Sequence, residues 1–225
     1  MKIKWGALVV AGSGKIGGHV ASKNRGGAFL RTKVTPSNPQ SVRQMTVRGI
    51  FGSISAAWSA LTNNQRASFD GFVSAYSSTD IFGDIRNPSG KNLFQKLNQN
   101  LENSAQAQIT TCVAPSEVPF ANLASVLGDV SSSTMVAETD GDTTGCKMIF
   151  FATPSMSQGT KFVKNKLRQI GVISGGDNLS NAIYALYVAK YGAPVAGANI
   201  YIGVKVINAN GQASPLETVK AVIQA

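Results

Sequence analysis

Acidic residues, histidine and cysteine are all scarce in this chain, and each shortage excludes a class of functional site. The 225 residues contain 11 Asp and Glu, two cysteines and one histidine. A single histidine, His19, excludes a multi-histidine metal site and leaves any Ser-His-Asp triad resting on one residue of a glycine-rich segment. Cys112 and Cys146 form no Cys-x-x-Cys pair, so we expect buried free thiols and neither a zinc site nor a disulfide framework. An enzyme is therefore the weakest functional class for this sequence.

Long apolar runs and charged residues are also few. No segment approaches the roughly 20 apolar residues that a membrane-spanning helix needs, so we expect no membrane partner. The apolar run before Gly12 is too short for a convincing signal peptide, and we predict a strand there. Only 14% of the residues are charged, well below the usual quarter or so. A surface rich in Ser, Asn, Gln, Thr and Gly suits a protein that neighbouring subunits cover.

The positive charge that is present lies almost entirely in the first half of the chain. Residues 1–105 carry nine of the ten excess positive charges, and no carboxylate precedes Asp70. This segment cannot neutralise itself and should attract an anionic partner. We predict that seven cations bind this partner: Lys15, Lys23, Arg25, Arg31, Lys33, Arg43 and Arg48.

Two kinds of partner fit these cations. Arginines and glycine-exposed backbone can dock on an acidic surface of a neighbouring subunit, which is the interpretation that we favour. The same cations can neutralise phosphates, with Phe29 or Trp5 available for stacking, so nucleic acid stays the alternative. The sequence contains no recognised readout motif for nucleic acid.

The first 104 residues are predicted to form a basic arm and a helical assembly module. Glycine pairs at 17–18 and 26–27 favour a β-hairpin or an extended arm. Asn38 and Pro39 suit the N-cap and the first position of a helix, so we expect a helix to begin there. Its apolar residues repeat at alternating steps of four and three, which predicts one buried stripe. The stripe comprises Val47, Phe51, Ile54, Trp58 and Leu61.

Two further helices are predicted in this module. Thr62 and Gln65 have the spacing of a capping box and should start the second helix. After a loop at 77–90, the third helix should end near Ser104. The predicted buried residues are Phe69, Phe72, Val73 and Tyr76 in the second helix and Leu93, Phe94, Leu97 and Leu101 in the third.

The second half of the chain has the composition of a β domain. Residues 105–133 are low in charge and contain two prolines, so we place a linker there and the domain at 134–225. One helix is predicted over 179–191, with Asp177 or Asn178 as its cap. Strands are predicted at 135–138, 147–152, 161–173, 199–207 and 218–223. The expected fold class is α+β, with a C-terminal immunoglobulin-like β-sandwich that carries one helical insertion.

Two short motifs suggest chemistry that the rest of the sequence does not support. Residues 12–17 fit the GxGxxG pattern of dinucleotide-binding loops. Such a loop needs a following helix and an acidic residue about 20 positions on, and no acid occurs before Asp70. Asp140 and Asp142 lack the further acidic ligands of a calcium loop. We expect hairpin glycines in the first case, a solvated turn in the second, and neither a cofactor nor a metal.

Five short strings in the first module together carry a family resemblance. They are GKIGG at 14–18, KNRGG at 23–27, PSNPQ at 36–40, WSALTNNQR at 58–66 and NLFQKLN at 92–98. Together they resemble a module of virion proteins of tailed bacteriophages, especially crAss-like and related phages of Bacteroidetes. The stretch 199–215 is similar to the last hairpin of fibronectin type III-like domains.

The resemblance implies a structural role in a virion. We expect a non-enzymatic protein that is capsid-associated or part of the head–tail connector and is assembled in the host bacterial cytoplasm. Its partners would be other virion proteins, with further copies of itself in the assembly, and the basic arm would make the contact. The alternatives are a nucleic-acid-binding packaging or cargo protein, with DNA as the partner, and an adhesion or display protein on the virion surface.

Overall fold

The computed structural model describes residues 2–4, 6, 12–35, 37–160 and 162–224. The described residues form four helices and three sheets. Three helices and five short strands make up the first half of the chain, and one large sheet dominates the second. The predicted α+β class is confirmed at this level.

The segment predicted as an arm folds as a small antiparallel sheet. Its strands, in the order β1-β2-β3, are β1 (Gly14–Ile16), β2 (His19–Asn24) and β3 (Gly27–Thr32). Gly17 and Gly27 have φ angles of 54° and 100°, a backbone conformation that favours glycine. The string that fits GxGxxG is therefore a strand and a hairpin turn, as expected. We call residues 12–35 the basic arm.

Three helices and a short hairpin form the rest of the first module. The helices are α1 (Val42–Ala60), α2 (Asn63–Gly71) and α3 (Gly90–Asn103). Strands β4 (Ser78–Thr79) and β5 (Ile85–Arg86) pair between α2 and α3. The rings of Trp58, Phe69 and Phe94 meet at centroid distances of 5.2 to 5.9 Å. One aromatic from each helix thus lies at the centre of this small core.

Side-chain caps fix where these helices begin. The backbone N–H of Gln65 donates to the Thr62 hydroxyl, and Thr62 N–H donates to the Gln65 side chain, which confirms the predicted capping box. Ser41 and Gln44 make the same reciprocal pair at the start of α1. The predicted start at Asn38 and Pro39 is wrong because the Ser41 box stabilises a start three residues later.

The C-terminal half contains one seven-stranded sheet in the order β10-β7-β6-β12-β11-β8-β9. Neighbours are antiparallel except for β12 and β6, which are parallel. Helix α4 (Tyr184–Tyr191) contacts both β9 at one edge and β7 near the other, so the sheet must curl around it. The strands are β6 (Asn122–Asp129), β7 (Thr134–Asp140), β8 (Lys147–Ala152), β9 (Arg168–Ser174), β10 (Leu179–Ala182), β11 (Asn199–Ile207) and β12 (Glu217–Gln224).

The larger core lies on the inner side of this curled sheet. Ile200, Ile202, Val204 and Val206 alternate along β11 and point into it, as the period of a strand requires. Tyr187 of α4 fills the same core and is 1% exposed. The two cysteines are buried free thiols, as predicted.

The first module packs on the sheet through the turn after β11. The Asn100 side chain of α3 donates to the Gly211 carbonyl at 2.8 Å. The side-chain amide of Gln212 donates to the Tyr76 hydroxyl at 2.7 Å, and its oxygen, Oε1, accepts from the Ser116 N–H at 3.0 Å. Lys205 points away from the inner core and lines a cleft together with Leu97 of α3. Helix α3 therefore packs against the turn that follows β11.

Several strand predictions are confirmed, since β8 and β11 match the predicted ranges and β7 and β12 contain theirs. The predicted strand at 161–173 begins only at Arg168, and residue 161 lies outside the described residues. The predicted helix over 179–191 is wrong at its start, because residues 179–182 pair with β7 as the edge strand β10. Neither Asp177 nor Asn178 is the N-cap of α4, which is Ile183.

Two features of the C-terminal half differ in detail from the expected layout. The range predicted as a linker, 105–133, includes strand β6, so only its first part lacks regular structure. The two facing sheets of an immunoglobulin-like sandwich are not confirmed, because the described C-terminal strands form one continuous sheet.

Candidate docking surface

The seven predicted partner-binding cations are all exposed, but they do not form one patch. Lys15 and Arg31 are both aligned with Val20, so they share one face of the basic arm. Lys23 is aligned with Ala28 and lies on the opposite face. The others are distributed along the chain: Arg25 in the β2–β3 turn, Lys33 after β3, and Arg43 and Arg48 on α1.

These cations also lack carboxylate partners. The two ion pairs among the described residues use Lys2 and Lys4, neither of which belongs to the predicted set. The predicted cations therefore keep their charge available for a partner. Such exposed charges contribute mainly to the rate and orientation of association.

The N-terminal half of α1 extends beyond the core with its apolar side chains uncovered. Ile54 is 1% exposed, whereas Val47 and Phe51, which precede it in the same stripe, are 51% and 55% exposed. The prediction of one buried stripe is therefore wrong for its first two members. Helices α2 and α3 cover α1 only from Ile50 onward, where half-buried packing begins.

The uncovered part of α1 borders a cleft of about 670 Å³. Val47 and Ile50 line its α1 side, and Ile170 and Leu186 line its β9 and α4 side. Arg43 faces the same cleft. We use the name docking surface for the seven predicted cations together with the exposed apolar residues of α1. These apolar residues are Val42, Met45, Val47 and Phe51.

The basic arm is anchored to the β4–β5 hairpin through Lys2. The Ile3 N–H donates to the Ala28 carbonyl at 3.0 Å, which places residues 2–3 beside β3. Lys2 Nζ donates to the Gly26 carbonyl at 2.8 Å and to the Asp80 carboxylate at 2.7 Å. The hydrogen bond from Lys2 to the carboxylate, with one from the Phe82 N–H, lowers the pKa of Asp80 to about 2. The turn of the arm is thereby held in one position relative to the helices.

Other groups with possible chemistry do not assemble into a reactive site. Among the described residues, no three of His, Cys, Asp and Glu are placed to hold a metal ion. Burial raises the pKa of the Cys112 and Cys146 thiols, which makes them poor nucleophiles. Asp142 lies in an exposed turn, where hydrogen bonds from Thr144 lower the pKa of its carboxyl.

Within the part of the chain that the structure describes, no helix has both the length and the apolarity to cross a bilayer. The sequence predicted the arm cations but not the uncovered half of α1, since periodicity cannot show where a covering helix stops.

No protein-family model, no curated protein and no solved structure matches this chain.

Proposed function

We propose that this chain is a non-enzymatic assembly protein that docks on an acidic neighbouring subunit through the docking surface. The observation that carries the proposal is the apolar stripe of α1, which is core at Ile54 and continues uncovered through Phe51 and Val47. Contiguous exposed apolar side chains on a folded protein are typical of interaction sites.

Charge and apolar contact have separate roles in this docking. Apolar area supplies most of the stability of an interface, with aromatic residues such as Phe51 near its centre. The unpaired cations Arg43 and Arg48 on the same helix select a partner of opposite charge and disfavour another copy of the same face. The partner should therefore present an apolar groove flanked by Asp and Glu.

The assembly that we propose is the virion of a tailed phage, with the chain capsid-associated or part of the head–tail connector. This step rests on the sequence resemblance of the first module. Several copies in one particle would bring several docking surfaces into use at once. A display role would use the C-terminal half as an immunoglobulin-like domain, and its single continuous sheet adds no support to that alternative.

Mass spectrometry of purified virions tests this proposal. We expect the chain to be present in many copies, and Phe51→Ser with Val47→Ser to reduce its incorporation about tenfold. Val222→Ser is the control, because Val222 is 51% exposed on β12, outside the docking surface. Virions that lack the chain, or that take up the α1 variant as well as the control, would contradict the proposal.

Light scattering of the purified protein tests the nucleic-acid alternative, which the shared face of Lys15 and Arg31 favours. A protein indifferent to a generic DNA duplex supports docking on protein. Complex formation with the duplex that is lost steeply as salt rises would put the packaging alternative first.

A further inference from the structure

Two clefts lie next to each other at the junction of the arm, the helices and the sheet. One cleft, of about 500 Å³, is lined by Arg25, Arg86 and Lys96. The other, of about 440 Å³, is lined by Lys96 and Lys205. Tyr76 and Lys96 line both clefts, so the two spaces meet at these side chains. We call this combined space the basic groove.

The basic groove is positively charged along its length. Its four cations come from the β2–β3 turn, β5, α3 and β11. No Asp or Glu of the described residues lines either cleft. None of the four cations makes a hydrogen bond or an ion pair with another described residue. By contrast, Lys2 and Arg66 both use their charged groups in internal bonds.

Lys205 is the least exposed of the four cations. It is half-buried on β11, and burial, together with the nearby charge of Lys96, lowers its pKa. A half-buried lysine without a counter-ion is costly to keep charged. An anion bound beside Lys205 would relieve both the desolvation and the repulsion from Lys96.

The walls of the groove supply neutral donors and a fixed aromatic ring. Asn87, Asn92 and Ser78 line the first cleft, whereas the Ser116 hydroxyl in the second cleft already donates to the Gln212 side chain at 2.8 Å. The Gln212 amide holds the Tyr76 hydroxyl at 2.7 Å, which fixes the ring between the two clefts. The Arg86 guanidinium lies against Gly26, where a side chain would displace it. Amide and hydroxyl donors beside cations match the acceptor oxygens of phosphate groups.

We propose that the basic groove binds a linear ligand that carries several phosphate groups. Arg25 and Arg86 hold phosphates at one end, Lys205 at the other, and Lys96 between them. A chain of phosphates places a negative charge at every link. Several consecutive charges of such a ligand can therefore be neutralised by the four cations in the adjoining clefts. Such phosphates occur in free triphosphate and in the backbone of single-stranded nucleic acid. The site is distinct from the docking surface, with which it shares only Arg25.

Fluorescence anisotropy with a labelled twelve-residue oligothymidylate, in competition with inorganic triphosphate, tests this proposal. We expect each of Arg86→Gln, Lys96→Gln and Lys205→Met to weaken binding of the oligonucleotide about tenfold. Each should also lower the dependence of log affinity on log salt by about 0.7. Lys164→Gln and Lys220→Gln remove the same charge from exposed positions outside the groove and should change binding little.

The competition identifies the source of the phosphates. Displacement of the oligonucleotide by triphosphate at equal phosphate concentration assigns the groove to free polyphosphates, and failure of triphosphate to displace it assigns the groove to a nucleic-acid strand. Lys96 is exposed, so Lys96→Gln remains informative if Lys205→Met fails to fold. Absence of binding, binding that groove and control variants weaken equally, or equal binding of polyglutamate would overturn the proposal.

Discussion

Gly211 is a single residue on which the packing of the sheet against α3 depends. Its φ is 76°, and a Cβ there would meet the carbonyl group of Leu97. We expect Gly211→Ala to cost about 1 kcal/mol for the left-handed backbone and a further ~1–3 kcal/mol for the displaced contact. Urea denaturation of the variant and the natural chain measures the total loss.

Gly197 provides the matched control for Gly211. Its φ is 75°, and nothing lies within 4 Å of the place its Cβ would take. Gly197→Ala should therefore reduce stability only by the cost of placing alanine in the left-handed backbone conformation. Equal losses in the two variants would contradict the close approach of Gly211 to α3.

The Lys2–Asp80 ion pair gives one carboxylate a defined pH dependence. The pKa of Asp80 is lowered to about 2, first by the hydrogen bond from Lys2, and the value in an unfolded chain is about 3.9. A lowered pKa means that the carboxylate stabilises the folded state above about pH 4. This stabilisation is lost as the pH falls from about 4 towards 2.

Asp80→Asn should therefore reduce stability at neutral pH, and the difference from the natural chain should disappear near pH 2. Chemical denaturation at several pH values measures this difference. Asp84→Asn is the control, since Asp84 forms only an exposed pair with Lys4 at 3.1 Å and should change stability little. A carbon NMR titration of Asp80 with a midpoint near 4 would show that the ion pair is absent.

At the scale of elements, capping boxes define the helical hairpin of α1 and α2. Removing the Thr62 hydroxyl leaves the Gln65 N–H without its partner, so Thr62→Ala should cost about 1 kcal/mol. Thr46→Ala is the control, because the Thr46 hydroxyl bonds only to a carbonyl of its own helix. Equal stability of both variants in urea denaturation would show that the cap contributes nothing.

The sequence predicts elements well where local signals decide them. Strands β8 and β11 combine apolar and β-branched residues over six and nine positions, and their predicted bounds match. Ser41 and Gln44 have the same three-residue spacing as Thr62 and Gln65. The start of α1 could therefore have been predicted from the sequence. The start of α4 could not, because Leu179 stands at helical spacing from Ile183 and Leu186, and residues 179–182 become a strand only through pairing with β7.

The candidate sites depend on tertiary placement to different degrees. The arm cations stand out because no acid accompanies them in sequence. The basic groove has no such signal, since Arg25, Arg86, Lys96 and Lys205 are spread over most of the chain. Only the packing of the β2–β3 turn, α3 and β11 brings them to one space.

For the whole molecule, Gln212 couples the first module to the sheet. It is 6% exposed and bonds to Tyr76, Ala114 and Ser116. Gln212→Ala should cost about 1–3 kcal/mol, because buried partners lose their bonds. We also expect the fluorescence of Trp58, which packs in the core of the first module, to change at a lower temperature than the circular dichroism of the sheet.

Gln169 is the control for this coupling. Its amide makes one bond between the two parts, to the Asn103 carbonyl at 3.0 Å, at an exposed position. Gln169→Ala should leave both transitions together and near their natural temperatures. Separate transitions in the natural chain would contradict the coupling through Gln212.

The position of β12 in the sheet has a consequence for how the protein is made. This strand lies between β6 and β11 and joins one group of three strands to the other, yet it follows all six in sequence. On the ribosome, both groups emerge before the strand that unites them, and each then presents an open edge towards the missing centre. Completion of the sheet therefore waits until both groups of strands have been made, and a chaperone that shields strand edges would act in that interval.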